Sequence, residues 1–236
     1  MAEQTCRHCG KTGIGKHCSY CGQSYATKRI TLHSIIHEVF HFFTHLDKGF
    51  FYTLKELTFR PGTMQRAYID GHRVKHQKPF SMFFVCGSAT AFALYLIHKP
   101  AGEMTPVDEA MADFRRHYYV LLQAALLPLY AFVTWLLFRK NRINYAESLV
   151  FFAYTLSFML LLVIFTNIFH KLTHGRIPTW TVEVPVLLGY LLLTNFRFFK
   201  LEKWWGILLK SVINIVCCYF ISTYMSDLAI RLLTKS

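Results

Sequence analysis

Five long blocks of apolar residues occupy the second two thirds of the chain, separated by short polar segments. The blocks cover residues 80–98, 118–138, 149–169, 182–198 and 207–225. As α-helices, blocks of this length would cross the roughly 30 Å hydrocarbon core of a bilayer. The pattern therefore predicts an all-α integral membrane protein with about five transmembrane helices, formed by residues 80–236.

The fourth block is the least regular of the five. Glu183 lies at its beginning, and Pro185 is expected either to kink the helix or to mark its first turn. A chain with four spans and an internal C-terminus is therefore the competing prediction. Lys210 lies one turn from the start of the fifth block, where its long side chain can reach the interface.

Residues 32–46 alternate between apolar and polar at helical spacing, and Thr31 is suited to cap this helix. The apolar arc is rich in Phe, Ile and Leu. The polar arc contains four histidines at steps of four, namely His33, His37, His41 and His45. The segment is predicted to be an amphipathic helix at the membrane interface, with its apolar face in lipid or against the bundle.

The row of histidines has two interpretations. Imidazoles at i and i+4 can share a metal ion, and they titrate near neutral pH, so the row predicts a secondary metal site or a pH-sensing surface. Alternatively, histidine simply fills a polar arc that also contains Ser and Thr. The mixed composition of the arc favours this second interpretation.

Basic residues concentrate immediately before the first predicted span. Pro61 is typical of a helix start and Gly71 of a helix end, so a short helix is expected between them, within an interfacial, basic linker that covers residues 30–79. Five cations of this linker are Arg60, Arg66, Arg73, Lys75 and Lys78. They are expected to form a basic collar at the cytoplasmic face, with a site for an anionic ligand or lipid headgroup as the alternative.

Residues 1–26 form a polar head with two CxxC motifs, whose cysteines are Cys6, Cys9, Cys18 and Cys21. Two such pairs can wrap four thiolates around one tetrahedral ion, and the glycine after each pair, Gly10 or Gly22, permits the positive φ that such a turn often uses. Because the head has few apolar side chains, a bound metal would have to supply its folding energy. The motif predicts a zinc ribbon with a structural zinc ion, with two disulfides as the rival. His8 and His17 could each replace a cysteine ligand, although they are more simply neighbours of the site.

Composition and charge support the membrane prediction. Apolar residues make up 53% of the chain and charged residues 17%, compared with about 25% charged in typical soluble domains. The formal net charge of +13 does not indicate a nucleic-acid partner, because the basic residues flank the apolar blocks. We expect no secretory signal, since a polar head precedes the first apolar run.

The basic residues also predict the orientation in the membrane. With five spans, eighteen Lys and Arg residues fall on the side of the N-terminus and seven on the other side, where the loop predicted for residues 99–117 adds four acidic residues. The positive-inside rule then places the head in the cytoplasm. The C-terminus is expected in the periplasm of a bacterial cell, with the bundle in the inner membrane.

The predicted spans contain few residues that could support catalysis or transport. We expect no ionisable residue at mid-depth, and the uncharged polar candidates are Gln123, Asn167, Asn195 and Asn214. Such residues more often hydrogen-bond neighbouring helices than bind a transported substrate. No nucleophile–base pair, phosphate-binding loop or HExxH motif is recognisable. We therefore predict that the protein is not an enzyme, with an enzyme acting on a lipid phosphate as the alternative.

Taken together, these motifs resemble a bacterial family, the domain of unknown function numbered three-six-six-seven. The similar segments are Cys6-x-x-Cys9-Gly10, Cys18-x-x-Cys21-Gly22-Gln23, Thr53-Leu54, Arg60-Pro61-Gly62, Tyr68-x-x-Gly71-x-Arg73, Pro79-Phe80, Pro128, Asn144-Tyr145-Ala146-Glu147 and Tyr190-Leu191. The resemblance implies the fold and the zinc, but no activity. Ser148 is a departure, because a His is expected there, which weakens any metal or proton role for Glu147.

These observations predict a bacterial inner-membrane scaffold, assembly factor or regulatory subunit of a membrane complex. Its expected partners are membrane lipids and a protein that binds the zinc head. A small transporter, channel or lipid-handling protein is the alternative, which the interrupted spans and the basic collar support.

Overall fold

The computed structural model describes residues 3–27, 29–40, 49–97, 106–173, 176–200 and 203–233. In these ranges a two-stranded antiparallel sheet precedes a series of helices. The elements are β1 (Gln4–Thr5), β2 (Thr12–Gly13), α1 (Leu32–Phe40), α2 (Phe50–Phe59), α3 (Thr63–Ile69), α4 (Pro79–Ile97), α5 (Pro106–His117), α6 (Tyr119–Leu137), α7 (Tyr145–Leu172), α8 (Thr179–Phe198) and α9 (Trp204–Leu233). A single 3₁₀ turn, Arg139–Asn141, connects α6 to α7.

Four helices of the described part are long and apolar enough to cross a membrane, namely α4, α6, α7 and α9. They carry large apolar side chains that the protein itself leaves exposed, such as Phe92, Leu121, Phe165 and Phe220. Lipid would cover side chains of this kind. The prediction of a helical membrane protein is therefore confirmed, with four candidate spans. The fourth predicted block forms α8, which is helical but is not among them.

Helix α7 is the central element of the bundle. In its most apolar window 67% of the residues are buried, compared with 33% or less in the other three candidate spans. Around its first turns, aromatic rings from three segments meet: the Phe138 and Phe199 rings stack at 3.7 Å, and the Phe151 ring lies 4.4 Å from that of Phe198. Close contacts of this kind hold membrane helices together, because lipid offers no hydrophobic gain between them.

Helices α7 and α8 run in opposite directions. The first turn of α7 lies beside the N-terminal head, since Glu147 binds Arg29. The other end of α7 lies beside the start of α8, where the Asn167 side chain is 3.5 Å from the Glu183 carboxylate. The end of α8 then returns to the side of the head.

Helices α6 and α9 are also antiparallel. Near the end of α6, Thr134 exchanges hydrogen bonds with Asn214, which lies in the first half of α9. Near the start of α6, the amide of Gln123 donates to the Ser222 hydroxyl, further along α9 at 3.1 Å. The Ser148 hydroxyl at the start of α7 donates to the Ala131 carbonyl in the second half of α6, so the four consecutive long helices α6 to α9 alternate in direction.

The predicted interfacial linker is docked on the bundle by buried polar groups. The Gln65 side chain caps α3 by accepting from the Gly62 amide at 2.6 Å, and it donates to Thr155 of α7. The Tyr154 hydroxyl of α7 donates to the Gln77 carbonyl. Helix α3 begins shortly after Pro61 and ends shortly before Gly71, as the sequence predicts.

Gly62 explains the Arg60-Pro61-Gly62 motif. Its φ is +79°, a left-handed conformation that favours glycine. A side chain at this position would also collide with the end of α8, since its Cβ would lie 2.3 Å from the Thr194 carbonyl oxygen. The motif therefore sets how closely the linker approaches α8.

Three sequence expectations are corrected. The connection 99–117 is not a loop over its described part, because residues 106–117 form α5. Pro185 is not in the first turn of α8, since that helix already begins at Thr179. Helices α7 and α9 extend beyond the predicted blocks, because polar residues outside an apolar window can continue a helix that the window has already begun.

Candidate metal centre and bundle cavity

The four predicted cysteines converge in the head. Their sulfur atoms all lie within 4.8 Å of one another, and the shortest separations are 3.5 Å for Cys6–Cys21 and 3.6 Å for Cys9–Cys18. Four sulfurs around a tetrahedral ion with 2.3 Å metal–sulfur bonds would lie about 3.8 Å apart. The four cysteines therefore form a group that could hold one metal ion.

Two similar turns bring the cysteines together. In the first, the Cys6 amide donates to the Lys11 carbonyl and the Gly10 amide donates to the Cys6 carbonyl. In the second, Cys18 and Gly22 make the equivalent hydrogen bonds. Gly10 and Gly22 have φ values of +73° and +75°, so the glycine after each CxxC motif occupies the left-handed conformation that the sequence predicts.

Backbone amides and burial act on the sulfurs in opposite directions. Burial disfavours the Cys18 thiolate, but the amides of Tyr20 and Cys21 donate to this sulfur and lower its pKa to about 6. At Cys21 the Gln23 amide favours the thiolate, but burial and the neighbouring sulfurs outweigh it and raise the pKa to about 12. Four adjacent thiolates repel one another, so full ionisation of the group requires a cation.

Neither neighbouring histidine belongs to this group. His17 is exposed and forms a bridge with Ser24, outside the sulfur cluster. His8 is half-buried and its ring lies 5.6 Å from that of His72. Among the described residues, the candidate metal ligands are the four cysteines that the sequence predicts.

The head is docked at two places, the first on the linker and the second on the bundle. At the first, Arg7 and Thr27 of the head lie against Gly71, just after α3, where an added Cβ would be 3.5 Å from each. At the second, the Arg29 guanidinium binds both carboxylate oxygens of Glu147, at 2.6 and 2.8 Å. The Asn144 side chain also donates to the Ile30 carbonyl at 2.9 Å.

Glu147 belongs to this docking contact and to the cap of α7. Its carboxylate accepts from the Asn144 amide, while the Asn144 side chain accepts from the Glu147 amide, which together form a capping box. The side chain of Glu147 is 5% exposed, compared with 60% for Arg29. The Asn144-Tyr145-Ala146-Glu147 motif therefore carries a structural contact. Sequence analysis missed Arg29, since no local pattern distinguishes it from the other basic residues.

Another histidine of the linker, His76, lies near His8 and His72. His76 is half-buried, with its ring 5.2 Å from that of Tyr52 and 6.3 Å from that of Tyr68. Burial, followed by the nearby charges of His8 and His72, lowers the pKa of His76 to about 4. His76 is therefore neutral near pH 7.

The five basic residues of the predicted collar do not act alike. Arg60, Lys75 and Lys78 are exposed, whereas Arg66 and Arg73 are half-buried. Arg66 pairs with Asp70 at 3.2 Å, and Arg73 donates to the Tyr68 carbonyl at 3.1 Å. These local contacts engage the two half-buried arginines.

The histidine row falls largely outside the described residues. His33 is exposed on α1 and His37 lies in the same helix, while His41 and His45 lie outside the described ranges. The predicted cap of this helix is present, since the Ser34 amide donates to the Thr31 hydroxyl at 3.3 Å. The secondary metal site or pH-sensing surface remains a prediction.

A cavity of about 350 Å³ lies between α5, α6, α7, α8 and α9. Most of its lining is apolar, for example Leu156, Leu187 and Ile215. Its charged lining residues are Arg115, Glu183 and Asp227, at the end of the bundle opposite the head. Sequence analysis missed this cavity, because its lining comes from five helices.

The predicted polar residues of the spans have separate roles. Gln123 lines the cavity and accepts from the Tyr130 hydroxyl at 3.1 Å. Asn214 connects α9 to α6, and Asn167 donates to the Val163 carbonyl of its own helix at 2.8 Å. Asn195 is fully buried at the end of α8. Helix–helix contact, as predicted, accounts for Asn214, for Gln123 through its bond to Ser222 of α9, and for Asn167 through Glu183 of α8.

The fold and the cysteine cluster define a multi-span membrane protein with a four-cysteine head. Residues 47–90 match the model of the family described as protein of unknown function (DUF3667). This match covers α2, α3 and the first half of α4, and over these residues it supports the family resemblance that the motifs carry. The comparisons with curated proteins and with solved structures give no match.

Proposed function

We propose that this protein is a non-enzymatic subunit of a bacterial inner-membrane complex, with a structural zinc ion in its head. The observation that supports this proposal is the convergence of four cysteine sulfurs within 4.8 Å in a head docked on the bundle. Four thiolates complete the tetrahedral shell of zinc and leave no position for a substrate or a reactive water. The head then acts as a recognition surface of a scaffold, assembly factor or regulatory subunit.

The head has a docked side and an outer surface. Arg7 and His8 face the region after α3, whereas Ile14 and Tyr20 are each 65% exposed. Exposed apolar residues on a small, metal-stabilised module suit contact with a protein partner. We assign the partner to this outer surface.

The proposed topology has five spans, with the head in the cytoplasm and the C-terminus in the periplasm. The distribution of Lys and Arg supports the orientation. The alternating direction of α6, α7, α8 and α9 supports a span for α8, because its two neighbours could not otherwise be connected in this arrangement. A periplasmic reporter fused after Ser236 should be active; activity of a cytoplasmic reporter at that position would contradict five spans.

The partner proposal is tested by purification from native membranes with quantitative mass spectrometry. The double variant Ile14→Ser with Tyr20→Ser should lose a stoichiometric partner that the wild type retains. Val74→Ser is the matched control, since Val74 is an exposed apolar residue of the linker and lies outside the head. Equal recovery of every co-purified protein from the wild type and the double variant would contradict the proposal.

Lipid handling is the second candidate function, because the apolar cavity with a charged end favours it. A transporter or channel requires a continuous polar path, which the mainly apolar lining does not supply. An enzyme acting on a lipid phosphate has less support, since Arg66 and Arg73 are engaged in local contacts.

A further inference from the structure

The cavity is elongated along the helices. On α7 its lining extends from Phe152 to Val163, and on α9 it extends from Ile215 to Ile230. At 1.5 Å per residue these stretches are about 16 Å and 22 Å long. A volume of about 350 Å³ lies near the lower limit of small-molecule sites. A long and narrow space of this kind fits one extended acyl chain.

Charges of both signs lie at one end of the cavity. The Arg115 guanidinium is 3.6 Å from the Glu183 carboxylate, and the two side chains are 37% and 11% exposed. Asp227 of α9 is exposed on the same lining. Glu183 is largely buried beside Arg115, whereas part of the Arg115 guanidinium and the Asp227 carboxylate remain accessible, so this end offers a ligand one cation and one further carboxylate.

We propose that the cavity binds a zwitterionic phospholipid with a single acyl chain. The chain lies between α7, α8 and α9, the phosphate faces Arg115 and the headgroup ammonium faces Asp227. A fatty acid complements this end less well, because its only charge would meet Glu183 and Asp227 as well as Arg115. The proposal rests on the second candidate function, lipid handling, and is independent of the partner of the head.

The test is native mass spectrometry of the full chain with added lysophosphatidylethanolamine. One bound lipid per chain is expected, with an affinity about tenfold or more above that for a fatty acid of the same chain length, a difference of about 1.4 kcal/mol. Lysophosphatidylglycerol is the anionic comparison, and it should also bind more weakly. Equal binding of the three probes would overturn the proposed headgroup contacts.

Two filling variants test whether the lipid occupies the cavity. Leu187→Trp and Val184→Phe enlarge residues of the lining and should each reduce binding about tenfold or more. Leu193→Trp is the matched control on the same helix, because Leu193 is exposed and does not line the cavity. The proposed site would be overturned if either variant folded and bound the lipid as the wild type does, or if the control lost as much binding. Either result would assign the bound lipid to the outer surface of the protein.

The exposed carboxylate tests the headgroup orientation without affecting the core. Asp227→Asn should weaken binding of lysophosphatidylethanolamine several-fold and improve the relative binding of lysophosphatidylglycerol. An unchanged preference would overturn the contact between the ammonium and Asp227. Since the partner of the head is measured separately, loss of that partner with normal lipid binding would contradict only the scaffold proposal.

Discussion

The head and the bundle are stabilised in different ways. Residues 3–27 include two-residue strands and two turns, and their buried side chains are chiefly cysteines. The bundle instead buries large aromatic residues such as Phe138, Phe151 and Phe199 around α7. A region of the first kind depends on its metal, whereas a region of the second kind depends on close contact between helices. The two regions should therefore respond to different perturbations.

The largest expected effect follows removal of the metal ligands. Cys9→Ser with Cys21→Ser leaves two sulfurs, so the head should lose its metal and unfold, since structural zinc supplies about 10 kcal/mol or more to such modules. Helical circular dichroism from the bundle should remain. The measurement pairs metal analysis with circular dichroism, and Cys217→Ser is the control because Cys217 lies in α9. A double variant that retains one equivalent of metal would rule out the four-thiolate site.

The converse perturbation removes a packed side chain from the bundle and leaves the head unchanged. Phe151→Ala removes a fully buried ring from the aromatic cluster at the start of α7, which typically costs about 3–5 kcal/mol. The free energy of unfolding, measured by denaturant titration in mixed micelles, should fall accordingly, while the metal content stays the same. Phe165→Ala, at an exposed position of the same helix, should have little effect. A loss of metal in Phe151→Ala would show that the two regions are not separable.

The contact between the regions should have a smaller effect. Glu147→Gln removes the charge that binds Arg29 at two oxygens, and we expect a loss of about 2 kcal/mol because this carboxylate is mostly buried. Hydrogen exchange at residues 29–30 should accelerate, with metal content unchanged. Asp70→Asn breaks the more exposed Arg66–Asp70 pair and should cost less than about 1 kcal/mol. Equal exchange in wild type and Glu147→Gln would argue against the docking contact.

The smallest effect concerns pH. The pKa of His76 is lowered to about 4 from its usual 6.5, so the unfolded chain binds a proton more readily than the folded protein does. This contribution to stability is fully present above pH 6.5 and decreases as the pH falls towards 4, by about 1 kcal/mol between pH 7 and pH 5.5. Thermal unfolding across this range checks it. His76→Phe retains a ring that cannot titrate, so an identical pH dependence in the variant would assign the effect elsewhere.

The sequence predicted the features that depend on local pattern. The spacing of the cysteines with Gly10 and Gly22 predicted both turns of the head, and apolar blocks predicted the long helices. The same local reasoning left α5 as a loop, because its charged residues resemble those of a polar connection. It could not find the Arg29–Glu147 contact or the cavity, since their residues lie far apart in the chain.

X-ray absorption spectroscopy at the zinc edge of the purified protein tests the central claim most directly. If the head is a closed structural site, the protein binds one zinc per chain, and the spectrum shows four sulfur ligands at about 2.3 Å. One ion is then bound by all four cysteine sulfurs, those of Cys6, Cys9, Cys18 and Cys21. A site with nitrogen or oxygen ligands, a different metal, or a head that folds with no metal would contradict the account.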